Sequence, residues 1–129
     1  MIVVDASAVL AIYLGEPERL PMRRLLEENV SKIAPVNYWE VLVRAHKVHG
    51  PQGAEDARGL IIDLGMSVAS MSGPEAQVAY EAFAKFGKGV GGPLNLGDCF
   101  AYALAKHEEA PLLYKGDDFG RTDVRSALG

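Results

Sequence analysis

Residues 1–16, MIVVDASAVLAIYLGE, decide the fold, because an apolar run from Ile2 to Val4 meets a carboxylate at Asp5 and then returns at once to apolar residues. The run is short enough for a buried strand, and the segment from 6 to 14 has the composition of a helix, with Asp5 or Ser7 available to cap it. A carboxylate at that junction is costly to bury unless it is hydrogen-bonded, paired, capping a helix or bound to a metal. Asp5 therefore needs a partner, and the rest of the chain is read for it.

The pattern that follows keeps alternating. EPERLPMRRLLEENV (16–30) carries Leu20, Leu25 and Leu26 on one side and charges elsewhere, a half-buried helix beginning near Pro17 or Pro21. KIAPV (32–36) reads as a short strand ending at a proline. NYWEVLVRAHKVHGP (37–51) places Trp39 and Val43 at helical spacing and stops at Gly50-Pro51, with Glu40 in its first turn. AEDARGLIIDLG (54–65) reads as a helix and MSVAS (66–70) as a strand. GPEAQVAYEAFAKFG (73–87) is a helix offering Val78, Tyr80, Phe83 and Phe86 to a core. GKGVGGPLN (87–95) reads as a mobile loop, and lacks the Lys-Ser or Lys-Thr of a phosphate-binding P-loop. NLGDCFAYALAKHEEA (95–110) is an amphipathic helix capped by Asn95, and PLLYKGDDFGRTDV (111–124) is a buried strand followed by an acidic turn.

Short strands alternating with helices over 129 residues predict a single α/β domain spanning 1–129, with three layers and a mainly parallel sheet. In such folds the strand C-termini share one edge, and ligands bind there. Asp5 follows the first strand, Asp117 and Asp118 follow the last, and Glu40 and Asp98 lie near helix starts, so all five can meet at that edge. Taken singly, each has an ordinary structural role as a cap, a dipole partner or a turn former. Together they are like charges, and two carboxylates about 4 Å apart repel by about 4 kcal/mol at an effective dielectric near 20. A divalent cation relieves that repulsion. Oxygen ligands without clustered Cys or His favour Mg²⁺ or Mn²⁺, which keep several waters and accept phosphate oxygens, so phosphodiester chemistry leads.

The formal charge of −4 excludes polyanion binding through net charge, leaving local basic patches or bridging cations. Arg44 with Lys47, and Lys85 with Lys88, are candidate phosphate contacts. Cys99 is the only cysteine, which excludes an intramolecular disulfide and fits a reducing cytoplasm. His46, His49 and His107 lack metal-ligand spacing and read as surface residues. No targeting segment is expected, because the apolar N-terminus has no basic start and carries Asp5.

The combination of VVDASAVLAIYLGE, NYWEVLVRA and LNLGDCFAYALAKHEEAPLLYKGDDFGRTD resembles the PIN-domain ribonucleases, specifically the VapC-type toxins of bacterial toxin–antitoxin pairs, over nearly the whole chain. The resemblance implies a PIN-like fold and a metal-dependent endoribonuclease acting on RNA in the cytoplasm, whose acids fall on Asp5, Glu40, Asp98 and either Asp118 or Asp117. One or two Mg²⁺ or Mn²⁺ ions would be held by Asp5 and Asp98, with Glu40 and the turn acid binding directly or through water. Ser7 matches a position that hydrogen-bonds within the family site, Thr122 and Asp123 match a following Thr-Asp pair, and Asn37 stands where many relatives carry Ser or Thr as a cap. The resemblance also implies a cognate antitoxin protein as partner, and apolar side chains on the surface helices suggest a homodimer. Two rivals remain at this stage: an aspartyl phosphotransfer domain using Asp5, which would want a second acid where Ser7 stands, and a noncatalytic module that keeps the fold to bind a partner.

Overall fold

The computed structural model describes all 129 residues. Four strands, β1 (Ile2–Val4), β2 (Ser31–Ile33), β3 (Met66–Val68) and β4 (Leu112–Leu113), form one sheet in the order β3-β2-β1-β4, with every pairing parallel. The register places Val4 opposite Ile33 on one side and Leu113 on the other, so the three strand ends are level. Parallel strands are buried on both faces, and β1 shows it residue by residue. Ile2 and Val4 enter one apolar cluster while Val3 enters the other.

The helices α1 (Ala6–Tyr13), α2 (Arg19–Glu28) and α3 (Pro35–Asp63) cover the first face through residues such as Val9, Met22, Leu26, Val41 and Ile61. Helices α4 (Gly73–Phe86) and α5 (Leu96–Glu108) cover the second through Ala79, Ala82, Ala101, Tyr102 and Leu104. The result is the three-layer α/β arrangement expected from the alternation of elements. No helix is long and apolar enough to cross a membrane.

Several local expectations are corrected. The strand expected over KIAPV ends at Ile33, and Pro35 instead opens α3 as its first residue, where a missing N–H costs nothing. Asn37 is therefore inside the first turn of α3 rather than capping it, and Ala34 holds the cap position. The stop expected at Gly50-Pro51 is a kink: His49 and Gly50 leave helical geometry, and helix resumes at Pro51. Gly50 has φ +70° and ψ −164°, a conformation reserved in practice for glycine.

On α4 the large side chains Val78, Tyr80 and Phe83 are exposed, and only Phe86 packs on the core. The contact stripe runs through Ala79 and Ala82 because α4 lies against the alanine-rich α5, where small residues allow close approach. Leu20 and Trp39 are likewise exposed, and Met22 takes the buried place on α2. The glycine-rich segment is not an open loop: Lys88 N–H donates to Leu94 O (2.8 Å) and Leu94 N–H to Phe86 O (2.9 Å), closing it into a compact turn.

Candidate active site

Asp5 stands at the C-terminal end of β1, its backbone N–H still bound to Leu113 O at 2.9 Å. Its side chain caps α1 by accepting from the Ser7 N–H at 3.1 Å, and the residue is 5% exposed. Burial pushes its pKa up, against the opposing effect of the hydrogen bonds from Ser7, and the charge of Glu40 raises it further. Ser7 is itself a tie: its Oγ accepts the Lys115 N–H at 2.9 Å, joining α1 to the segment that leaves β4.

Glu40 projects from the second turn of α3 and is held from below. The Asn37 amide donates to Glu40 Oε1 at 2.8 Å and to Gly97 O at 2.9 Å, bridging α3 to α5 with both hydrogens of one nitrogen. This fixes which way the amide points, since the flipped form would set an oxygen against two acceptors. The Asn37 oxygen is left buried without a partner, so the strut is kept at a cost of about 1–3 kcal/mol. Gly97 completes the seat: a Cβ there would overlap both Glu40 carboxylate oxygens.

Asp98 is the third residue of α5 and forms a reciprocal cap with Asn95. The Asp98 N–H donates to Asn95 Oδ1 at 2.9 Å, and the Asn95 N–H donates to Asp98 Oδ2 at 3.0 Å. Its pKa is nonetheless pushed up to about 6, first by burial and then by the charges of Asp5 and Asp118, with Lys88 acting weakly the other way. Glu40 is raised by burial and by Asp98. Asp118 opens the short 3-10 turn Asp118–Arg121 and is exposed. Of the two turn acids it is Asp118 whose charge acts on Asp98; Asp117 is exposed on the approach to the turn.

Asp5, Glu40 and Asp98 share a cleft of about 350 Å³ that Ser7 and Asn95 also line; of the five acids expected to meet, Asp117 and Asp118 are not among its walls. None of its acids has an ion-pair partner. Lys32 pairs with Glu108, Lys106 with Asp123 and Lys115 with Glu16 and Glu18, all away from the cleft, while Arg44 and Lys47 on its wall form no ion pair. A larger depression of about 450 Å³, between α4 and α5, is apolar and contains no carboxylate. Thr122 and Asp123 lie outside the cleft: Thr122 Oγ1 donates to Phe119 O, while Asp123 accepts from the Tyr102 hydroxyl and from Lys106, fastening the C-terminal turn to α5. The three histidines are exposed, His49 pairing with the Tyr13 hydroxyl, and Cys99 is buried.

The donor set is all oxygen, which fits a hard divalent ion. No cluster of three or more His, Cys, Asp or Glu side chains is arranged to hold a metal directly; an ion here would be carried by two carboxylates, Asp5 and Asp98, with water completing its shell, the usual habit of Mg²⁺. A buried, unpaired Asp5 is the feature that asks for such a charge. The sequence placed Asp5, Glu40 and Asp98 at one edge, where the structure has them line one cleft, but gave no role to the Asn37–Gly97 contact. A glycine between a cap and the third helical residue was the available signal, since glycine inside a helix is costly and marks close approach.

Residues 2–125 match the PIN domain family model. The VapC ribonuclease Mb2780c of Mycobacterium bovis is 37% identical over 97% of this chain and 98% of its own length, as is ribonuclease VapC42 of Mycobacterium tuberculosis. Ribonuclease VapC28 of Mycobacterium tuberculosis is 35% identical over 98% of this chain and 97% of its own. Among solved structures, Mycobacterium tuberculosis VapC20, described as a sarcin-ricin loop cleaving toxin, superimposes with a TM-score of 0.79 at 15% identity, covering 96% of both chains. VapBC2 from Rickettsia felis, bound to a DNA fragment from its promoter, gives 0.76 at 14% identity over 98% of this chain and 96% of that one.

The raised acids set the pH dependence of stability in metal-free buffer. Between about 3.8 and about 6, folded Asp98 retains a proton that the unfolded chain has lost, so its contribution to stability falls as pH rises through that window and is level above it. Urea unfolding in EDTA of wild type and Asp98→Asn checks this, the difference cancelling the salt-bridged surface acids. The wild type should lose stability relative to the amide variant as pH rises from 4 to 6; a constant difference would contradict the shift.

Proposed function

Because the chain belongs to the PIN-domain family, we propose that it is a metal-dependent endoribonuclease of the VapC toxin kind, hydrolysing RNA phosphodiester bonds at the cleft formed by Asp5, Glu40 and Asp98. The observation that carries this reading is the convergence of those three acids at the C-terminal sheet edge, none of them in an ion pair and each with its pKa raised. The full-length similarity to chains named as ribonucleases supports the substrate class.

Mg²⁺ or Mn²⁺, when bound, supplies charge neutralisation at the scissile phosphate and lowers the pKa of the attacking water. Asp5 and Asp98 would hold the ion. Each is fixed by backbone hydrogen bonds at a helix start, so neither carboxylate has to reorganise to receive the cation. Glu40, with one oxygen tied to Asn37 and its pKa raised by burial, is placed to accept a proton from the attacking water. Of the two turn acids, Asp118 is the one proposed to act with the site, supported by the effect of its charge on Asp98. Nothing in this scheme needs a nucleophile from the protein.

A ribonuclease of this kind acts on the cell's own RNA in the cytoplasm and needs restraint. The partner proposed is a cognate antitoxin that presents an Arg or Lys to the acidic cleft, replacing the cation's charge by a charge-assisted hydrogen bond. Solved relatives of the same fold described as toxin–antitoxin complexes support that partner. The homodimer is proposed to bury the exposed Tyr80, Phe83 and Leu96 around the apolar depression between α4 and α5.

Incubation of the purified, antitoxin-free protein with total RNA, with Mg²⁺, with Mn²⁺ and with EDTA, followed by mapping of new 5′ ends, tests the reading. Cleavage should require the cation and vanish in Asp5→Asn and Asp98→Asn, and Asp118→Asn should lose more activity than Asp117→Asn. Undiminished cleavage by either of the first two variants would refute the mechanism. Gly97→Ala is the test of the strut. Displacing the Glu40 carboxylate should lower the cleavage rate by on the order of 100-fold with the fold retained, since misplacement of about 1 Å costs that much. A wild-type rate in Gly97→Ala would remove Glu40 from the mechanism.

A further inference from the structure

The α3 wall of the cleft, which supplies Glu40, also carries a different chemistry. Trp39, Val43 and Lys47 recur at four-residue spacing along one stripe, with Arg44 one turn beyond Glu40 beside it, and all four line the same cleft as Asp5 and Asp98. Trp39 is 61% exposed, although a tryptophan side chain is among the most favourable to bury. The core does not need it, since Val41 and Ala45 form the buried side of this helix. Arg44 and Lys47 line the cleft and make no ion pair, so both charges are open to a ligand there. An exposed indole face beside two free cations, all bordering a cleft that would engage a phosphodiester, is the combination that single-stranded nucleic acid recognises: bases stack on the aromatic ring and the backbone follows the positive charges.

We infer that Trp39 is a stacking platform for an unpaired nucleobase next to the scissile phosphate, with Arg44 and Lys47 binding the phosphates that follow, so that the substrate enters as a single-stranded or looped segment of RNA. This rests on the ribonuclease reading and adds to it the residues of this chain that would receive a base and its neighbouring phosphates. A duplex base is already stacked on both faces and has none to offer the indole. With a net charge of −4, the protein has no general attraction for RNA, which makes this local basic stripe the means of holding it. The apolar Val43 and Leu10 extend the wall below the indole toward Asp5 and Ser7 in the same cleft. A protein segment with an apolar anchor and acidic side chains would also cover Trp39 and pair with the two cations, and is the alternative outcome of the test below.

Trp39 is the only tryptophan in the chain, so its fluorescence reports on this site alone. The experiment titrates the wild-type protein in EDTA with a ten-nucleotide 2′-O-methylated RNA, single-stranded or as a blunt duplex, reading tryptophan emission and, in parallel, the anisotropy of a labelled strand. The single strand should quench Trp39 and bind; the duplex should bind at least several-fold more weakly without quenching. Trp39→Ala should weaken single-strand binding about ten-fold, and Trp39→Phe should retain most of it. Arg44→Gln and Lys47→Gln should each reduce the salt dependence of log Kd by about 0.7 per lost phosphate contact. Binding without quenching, equal affinity for the duplex, no binding of either RNA, or unchanged RNA affinity in Trp39→Ala would each overturn the proposal. The last result, accompanied by loss of binding to a coexpressed protein partner, would assign the wall to protein docking. Cation-dependent cleavage of total RNA by the same preparations separates this failure from that of the ribonuclease reading: a Trp39→Ala enzyme that cleaves single-stranded RNA like wild type leaves the reading standing and removes the platform.

Discussion

The structure depends on a carboxylate buried where a strand becomes a helix. Asp5 closes β1, caps α1 and lies at the convergence of the sheet's C-terminal edge, and its charge is met by dipoles alone. Isolated ionised groups in such places normally shift toward neutrality, which is the direction of Asp5 here. Glu40 and Asp98 make the situation worse for one another, since each is raised partly by a neighbouring acid. A fold optimised for stability alone would not collect three acids without ion pairs in one cleft where burial raises the pKa of each. The cluster is intelligible as a site whose missing positive charge arrives with the ligand.

Holding such a cluster open takes rigid support, and it comes from groups that carry no charge. Asn37 spends both amide hydrogens on Glu40 and Gly97, at the expense of an orphaned oxygen, and thereby locks α3 to the first turn of α5. The Ser7 hydroxyl receives the Lys115 N–H and so couples α1 to the chain leaving β4, the segment that leads to Asp118. Each acid thus reaches the cleft from a different element, and those elements are tied together by neutral hydrogen bonds. The packing of α3 leaves its other stripe, Trp39 to Lys47, free to serve the same cleft.

The architecture and the acids were legible in the sequence because both rest on local signals: an apolar triplet followed by Asp5, a capping pattern from Asn95 to Asp98, and a strand running into Gly-Asp-Asp. What the sequence hid depends on which elements touch. Val78, Tyr80 and Phe83 have the hydrophobicity of core residues, yet close packing of α4 on α5 selects Ala79 and Ala82 and leaves the larger side chains outside. Asn37 looks like a helix cap until Pro35 is seen to start α3, and its partners are 3 and 60 residues away, a distance that local reading does not span. Adjacent in sequence, Asp117 and Asp118 differ in a through-space effect that local reading does not reach: the charge of Asp118 acts on Asp98.

The central claim is that Asp5 and Asp98 form a cation site, and direct titration with Mn²⁺, read by electron paramagnetic resonance of the free ion at pH 7.5, tests it without reference to catalysis. The account predicts saturable binding to the wild-type protein, lost or severely weakened in both Asp5→Asn and Asp98→Asn and retained in Asp117→Asn. Equal Mn²⁺ binding by the wild type and the Asp5→Asn and Asp98→Asn variants, or no binding by the wild type, would contradict it.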